Sequence, residues 1–470
     1  MNKKIILILI LSLISIFLNS CNDIVIPQSE PVQILNEQLL LDDNYDRFFN
    51  HVNHKKLIIK LTNKNATLLN QTMQEYFEQF GNYKSDTYIP ASIYYEDSFG
   101  MIEMQDVAFR TRGNLSRTRF LDEDGNLQLN HLKLKFNAQF TTLERDGYLF
   151  GLEELDLKYN RNFDASYMNE FGALKLYDSL DVLSQKSSLV YVEVHIDNTI
   201  NKIGVMTAFE PIDEWFIKRR FESKNNEIGD LYKSLWQQFG PANLTNIIEG
   251  SIGIKDADIN YRPSYDLKTN KKTSNHESLN LLIDVLASSD IYYKKAFIET
   301  YVDLDQLARQ FAVSLLLGNP DDIRSMANNY YLYFDIVSEK YYLFPYDLDH
   351  SLGQGWDGAP VFQNQLVDTE LYHYGELFTF LSNQSNVNHP LFDIIFQLDQ
   401  FKILYETYLQ TLLDTTFTFS FFENFIDQYQ SLYQQDIASS MIQLQFGYRD
   451  LESFIDNKRI SVLAQLNETT

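Results

Sequence analysis

The chain has 470 residues, 44% apolar and 22% charged, which excludes wholesale disorder and leaves ample material for a core. Lysine and arginine number 39 against 64 acidic residues, a formal charge of −25; this excludes a generic nucleic-acid binder and obliges any anionic ligand to find a locally basic pocket. The single cysteine, Cys21, excludes an internal disulfide framework and a cysteine-based metal cluster.

In chain order, residues 1–20 read as a signal peptide: Lys3 and Lys4 precede an apolar run from Ile5 to Leu18, shorter than the ~20 residues of a membrane span. Leu18-Asn19-Ser20-Cys21 resembles a bacterial lipobox, with Cys21 as the lipidated first residue of the mature chain. The expectation is a protein held by lipid on a membrane of the cell envelope, outside the cytoplasm. Residues 21–45 are then a lipidated terminus and tether. Alternation predicts strands over 56–61, 87–95, 105–111 and 131–137, and helical spacing predicts a helix over 66–80. Asp164 opens a helix to Leu180 that places Tyr167, Phe171, Leu174 and Tyr177 on one face. A hairpin over 190–196 and 203–209 turns at Asp197-Asn198. Beyond Glu210, helices are predicted over 211–221, 276–287, 303–317, 376–381 and from Leu391 onward, interrupted by a hairpin over 330–335 and 340–346. Residues 241–275 read as a long polar loop. The fold class is therefore α+β, strand-rich first and helix-rich second.

Several chemistries are missing. The sequence has no G-x-S-x-G, H-E-x-x-H, G-x-x-x-x-G-K-[ST] or G-x-G-x-x-G, and its histidines show no ligand spacing. The informative window is Asp303–Gly353. A helix stops at Gly318-Asn319-Pro320; Asp321 and Asp322 follow, then Asn328 and Asn329, a hairpin, and Asp347 and Asp349. Phosphoryl transfer needs one carboxylate to take the acceptor proton, and an amide oxygen with a second carboxylate to hold Mg²⁺ against the phosphates. The order Asp (321 or 322), Asn (328 or 329), hairpin, Asp347 supplies that set, all of it oxygen ligands suited to Mg²⁺.

A second signal is basic. Arg110, Arg112, Arg117 and Arg119 crowd a strand and its Gly-containing turn, and Lys133 and Lys135 share one face of the next strand, a combination suited to a triphosphate. Glu170, on the helix that follows, is a candidate partner for the phosphate lysine. Glu210 stands where the chain turns helical, the hinge position at which adenine would bind in a bilobal kinase.

With these residues named, the chain resembles the spore-coat protein H (CotH) family of atypical secreted kinases. The matching blocks are R-T-R-G-N-L-S-R (110–117), H-L-K-L-K-F-N (131–137), L-D-L-K-Y-N-R-N (155–162), D-A-S-Y (164–167), F-E-P-I-D (209–213), G-D-L-Y-K (229–233), L-L-G-N-P-D-D (316–322), N-N-Y-Y-L-Y (328–333) and F-P-Y-D-L-D-H-S-L-G (344–353). The resemblance implies a bilobal protein-kinase-like fold, with a nucleotide-binding lobe over 46–213 and a catalytic lobe over 214–470. It implies Mg²⁺-ATP as cofactor and transfer of phosphate to Ser or Thr hydroxyls of another protein or of the chain itself. On that carry-over Asp321 matches the N-x-D aspartate, with Asp322 as fallback; Asn329 and Asp347 bind metal, supported by Asp349; Lys133 is the favoured phosphate lysine, with Lys135 as alternative. The chain departs from the family at Asn169, where an arginine is frequent, and at Tyr346, where tryptophan is usual. Two other readings stay open: a kinase-like scaffold lipoprotein with little turnover, and a carboxylate-pair glycoside hydrolase.

Overall fold

Alternation shapes the first half. In β1 (Lys55–Leu61), Leu57, Ile59 and Leu61 are buried while the residues between them face outward. The computed structural model describes residues 43–469 except 115, 139, 142–146, 161–163, 165, 246, 356–366, 373–388 and 443–449. The signal peptide, Cys21, nearly all of the tether and the helix expected over 376–381 lie outside the described residues.

After β1 come β2 (Ile89–Asp97), β3 (Gly100–Arg112), β4 (His131–Lys135), β5 (Glu154–Tyr159), β6 (Ser187–Ile196) and β7 (Thr199–Phe209). They form a closed barrel in the order β1-β2-β3-β4-β5-β7-β6, closed by parallel pairing of β1 with β6, Ile59 opposite Val194. Closure removes the sheet edges that would otherwise stay unpaired. Its interior is a core of aliphatic and aromatic side chains, among them Leu57, Ile59, Phe109, Leu134, Leu155, Leu157 and Val192. Helix α1 (Asp43–Phe49) precedes the barrel, and α2 (Asn63–Phe80) connects β1 to β2. Thr62 caps α2 by accepting from Asn65 N at 3.1 Å, and Gly81, at φ 71°, ends it in the left-handed conformation that glycine tolerates.

The helix expected over 164–180 is shorter and begins later. Asp164 accepts from Ser166 N at 2.9 Å and Tyr167 is left-handed at φ 59°, so the chain makes a local turn before it coils. A π-helical turn (Met168–Gly172) then leads into α3 (Ala173–Asp178). Tyr167, Phe171, Leu174 and Tyr177 are all buried, as their spacing predicts.

The second half contains α4 (Glu214–Arg220), β8 (Leu231–Ser234), β9 (Ile252–Gly253), β10 (Tyr265–Leu267), α5 (Glu277–Ala287), α6 (Ile291–Tyr301), α7 (Leu304–Leu317), α8 (Ile323–Met326), β11 (Tyr330–Asp335), β12 (Lys340–Pro345), α9 (Pro390–Ile395), α10 (Asp399–Thr415), α11 (Phe419–Ala438) and α12 (Leu451–Thr469). The expected hairpin, β11–β12, is the edge of a five-stranded sheet ordered β12-β11-β8-β10-β9, so the polar stretch 241–275 contributes two short strands. Helix α7 is buried along nearly its whole length and packs on α10 at the heart of the helical core. Among the described residues, no helix is long and apolar enough to cross a membrane.

Candidate active site

The site forms where β5, the π-helical turn and the ends of the β11–β12 hairpin meet. On β5, Leu155 and Leu157 enter the barrel core, which leaves Asp156 and Lys158 on the other face. Lys158 Nζ lies 2.9 Å from Glu170 Oε2 and 3.2 Å from Asp349 Oδ2, and is hydrogen-bonded to Asp347 Oδ1. Glu170 comes from the π-helical turn; such wide turns recur at functional sites.

The hairpin register brings the remaining groups together. Tyr330 pairs with Pro345, and one step further Tyr346 N donates to Asn329 O at 3.2 Å, so Asn329 stands beside the residue that precedes Asp347. Both Asn329 (φ 53°) and Asp347 (φ 58°) are left-handed, a conformation that costs a non-glycine residue about 1–3 kcal/mol and concentrates at functional sites. Asn329 Nδ2 donates to Asp321 Oδ2 at 2.9 Å and to Asp321 O at 2.9 Å, which leaves its amide oxygen for another ligand. Asn328 is spent at both ends: its Nδ2 donates to Asp321 Oδ1 at 2.8 Å and its Oδ1 accepts from Trp236 N at 2.7 Å.

The two neighbouring aspartates differ in the same way. Asp322 is the N-cap of α8, accepting from Arg324 N at 2.9 Å and Ser325 N at 3.0 Å as well as from the Ser314 hydroxyl; it is committed to structure. Among the described residues, the Asp321 carboxylate accepts hydrogen bonds from the two asparagine amides, and the nearby His350 also acts to lower its pKa.

Three carboxylates therefore surround one ammonium. Burial and the neighbouring Asp349 and Asp347 push Glu170 up to about 7 against the pull of Lys158. Burial likewise lifts Asp321 to about 6, with Asp347 and Asp349 adding to it. Burial opposes the charge on Lys158, but Asp347, Asp349 and Glu170 outweigh it and raise its pKa well above the ordinary lysine value. Burial also opposes ionisation of Asp347, yet Lys158 keeps that carboxyl well below the usual range. Glu170, Asp347 and Asp349 present oxygens within 4.8 Å of one another, close enough to share a metal ion.

The basic residues do not converge on this centre as expected. Arg110, Lys133 and Asp156 lie side by side in register across β3, β4 and β5. Lys133 is consequently neutralised by Glu154 and by Asp156, 3.3 Å away, and Lys135 lies 3.6 Å from Glu154. The lysine that meets Glu170 is Lys158, which corrects the expected pairing with Lys133 or Lys135. Arg112 does reach the centre's rim: its Nη2 is 3.0 Å from the Tyr346 hydroxyl and 3.2 Å from Asp156 Oδ2. Lys233 of β8 stands over the Tyr346 ring at 4.0 Å, its pKa pushed down to about 7 by burial and by the like charges of Lys268 and Arg112. Arg110 turns to Asp86 at 3.0 Å, and Arg119 to Glu123 on the surface at 3.5 Å. Glu210 is wholly buried between Arg219 at 3.0 Å and Arg220 at 2.6 Å, so its carboxylate is closed to a ligand.

Residues 109–448 match the family model described as CotH kinase protein. The chain belongs to the CotH kinase family. No curated protein matches it. Membership implies kinase-type phosphotransfer with nucleotide and metal use, and the acid cluster of Glu170, Asp347 and Asp349 is a place in this CotH-family chain where a metal fits. Lys158 lies in the block L-D-L-K-Y-N-R-N, and the signal that marks it is position: its strand is the one immediately before the turn that carries Glu170.

Proposed function

We propose that this CotH-family chain is a lipid-anchored kinase outside the cytoplasm, transferring the γ-phosphate of ATP to Ser or Thr hydroxyls of an envelope protein or of itself. Residues 46–213 are then the nucleotide-binding lobe and 214–470 the catalytic lobe of a protein-kinase-like frame. The observation that carries the reading is Lys158, which joins a barrel strand and the Glu170 turn to Asp347 and Asp349 at the end of the hairpin.

The roles follow from the donor set. Asp347, Asp349 and the free amide oxygen of Asn329 would hold Mg²⁺, a hard cation that offsets phosphate charge, and the surplus of carboxylate over ammonium fits a dication. Lys158, oriented by Glu170, binds the phosphates as a fixed positive charge. Arg112 and Lys233 add positive charge at the rim. Asp321, fixed by Asn328 and Asn329, aligns the acceptor hydroxyl and takes its proton as the oxygen–phosphorus bond to the acceptor forms and the bond to the departing ADP breaks. With burial raising Asp321 to about 6, its carboxylate is basic enough to accept that proton near neutral pH.

The test is Mg²⁺-ATP binding by thermal shift, followed by autophosphorylation with γ-labelled ATP, in the unaltered protein and in Asp347→Ala. Loss of both in a folded variant is expected. Unchanged transfer overturns the assignment, and binding without transfer in the unaltered protein favours a scaffold.

A further inference from the structure

A cluster of cations outside the phosphotransfer centre has no counterpart among the roles assigned above. It gathers three segments: the loop before β2, with Lys84 and Asp86; β3 and the turn after it, with Arg110 and Arg117; and the polar stretch between β9 and β10, with Lys255 and Arg262. Asp86 Oδ1 lies 3.0 Å from Arg110 Nη1 and 3.2 Å from Arg117 Nη2, and its other oxygen accepts from Lys255. Lys84 donates to the Asn114 side chain, and Arg262 to Asn260 Oδ1 at 3.1 Å, to the Tyr76 hydroxyl at 3.4 Å and to Lys84 O at 3.3 Å. Among the described residues, Asp86 is the sole carboxylate in ion-pair contact with any of these five cations. The nearby Asp266 is paired with Lys268.

Among the described residues these five positive charges have one carboxylate in ion-pair contact, with Asp156 acting on Arg110 and Asp266 on Lys255 from further off, in a protein whose net charge is −25. The side chain of Arg117 is almost fully buried, and its Nε, like that of Arg110, is enclosed without a hydrogen-bond partner. The electrostatic consequence is visible on the cluster itself: burial and the neighbouring arginines lower Lys84 to about 8, and burial lowers Lys255 to about 7 despite Asp86. A set of buried donors this short of anions is relieved by an added oxyanion, which takes charge-assisted hydrogen bonds that the protein leaves unmade. Its place is alongside the chemistry. Arg110 and Arg112 are two residues apart on one strand, a span of about 7 Å, and Arg112 touches Tyr346, the neighbour of Asp347.

We infer that these residues form an oxyanion subsite for the phosphoryl acceptor: a polypeptide carrying carboxylate or phosphate groups near the hydroxyl to be modified. The inference rests on the kinase reading and names the acceptor class that reading leaves open. The acceptor suits the subsite better than the nucleotide does, because Lys158, Arg112 and Lys233 already serve the phosphates at the metal cluster, whereas Lys84, Lys255 and Arg262 belong to loops beyond it. An extended polyanion such as nucleic acid would meet the repulsion of the acidic surface around this one basic patch.

The experiment uses the full chain with a non-hydrolysable Mg²⁺-ATP analogue, and measures by fluorescence anisotropy the binding of labelled serine peptides flanked by glutamate, by phosphoserine or by glutamine. The acidic and phosphorylated peptides are expected to bind about tenfold more tightly than the glutamine peptide. In the double variant Lys255→Met, Arg262→Met that preference should shrink to about twofold or less, and Lys84→Met alone, at a half-buried loop position, should reduce it in the same direction if the double variant fails to fold. Equal binding of the three peptides to the unaltered protein overturns the inference. So does competition by inorganic phosphate without peptide discrimination, which marks an adventitious ion only, and so does loss of nucleotide binding in the variants with peptide discrimination intact. Because this readout is binding, it stands apart from the labelled-ATP assay, whose failure would remove the kinase reading instead.

Discussion

Two buried clusters of carboxylates and cations behave in opposite ways. Glu210 is one carboxylate between Arg219 and Arg220, and the surplus guanidinium donors reach backbone carbonyls of Gly151, Phe216 and Ser184. Although burial opposes its charge, the arginines hold Glu210 down at about 2. Around Lys158 the ratio is inverted: Glu170, Asp347 and Asp349 share a single ammonium, and Glu170 is pushed up to about 7. The first cluster covers its one carboxylate with a surplus of positive charge and serves the fold, although Arg219 Nε is enclosed without a hydrogen-bond partner. The second carries unspent negative charge, which is what a centre meant to receive a cation has to keep.

Replacing the ammonium should break the second cluster as a catalyst. Lys158→Met is expected to lower kcat by about 10²–10³-fold, whereas Lys133→Met, which removes a charge already neutralised by Glu154 and Asp156, should cost far less; phosphate transfer by the two variants compared side by side checks this. If both lose activity equally, Lys158 has no special role. Breaking the first cluster should show as stability instead. Glu210→Ala strands two buried guanidinium groups and is expected to cost about 3–5 kcal/mol, read from urea unfolding.

Acid sharpens the contrast because the two shifts have opposite signs. Glu210 titrates lower in the folded chain than its ordinary 4.5, so its contribution is fully present above that value and is lost as the pH falls towards about 2; the loss amounts to about 3 kcal/mol. Glu170 titrates higher when folded, so its protonated form favours the native state below 4.5 and that advantage fades as the pH rises through about 7. Unfolding free energies measured against pH in metal-free buffer should therefore show a shallower acid limb in Glu210→Gln, where Asp86 and Asp156 still contribute, and a shallower decline towards neutrality in Glu170→Gln, where Asp213 and Asp321 still contribute. The smallest effect concerns the cap beside the proposed base. Asp322→Ala should cost about 1–2 kcal/mol in urea unfolding, while Mg²⁺-ATP binding stays within a few-fold of the unaltered value.

Much of this was legible in the residues. Alternation marked β1 and β4, the Asp197-Asn198 turn marked the β6–β7 hairpin, and the order Asp, Asn, hairpin, Asp placed Asp321, Asn329 and Asp347 in one neighbourhood. The lysine was misplaced for a physical reason. Half of β5 is charged (Glu154, Asp156, Lys158), a poor match to strand composition, so Lys133 and Lys135 stood as the last strand lysines before Glu170. The π-helical turn that presents Glu170 has no periodic signature, and β8, β9 and β10 are too short to carry one. Adjacent pairs such as Asp321–Asp322 are separated only by which of them caps α8, a four-residue helix below the reach of any spacing argument.

The closing of the barrel depends on residues that a ribosome delivers late. The first strand finds its parallel partner only when 187–196 exist, and the layer is then tied off from the far end of the chain: Tyr433 bridges Lys55 N and Leu189 O, and Met441 N and Ile442 N donate to Lys202 O and Ile203 O. Such long-range closure is slow. A polypeptide that emerges N-terminus first therefore presents its opening segments unmated until the late residues arrive, and shortening it before about residue 442 should leave no soluble, protease-resistant remnant of the strands.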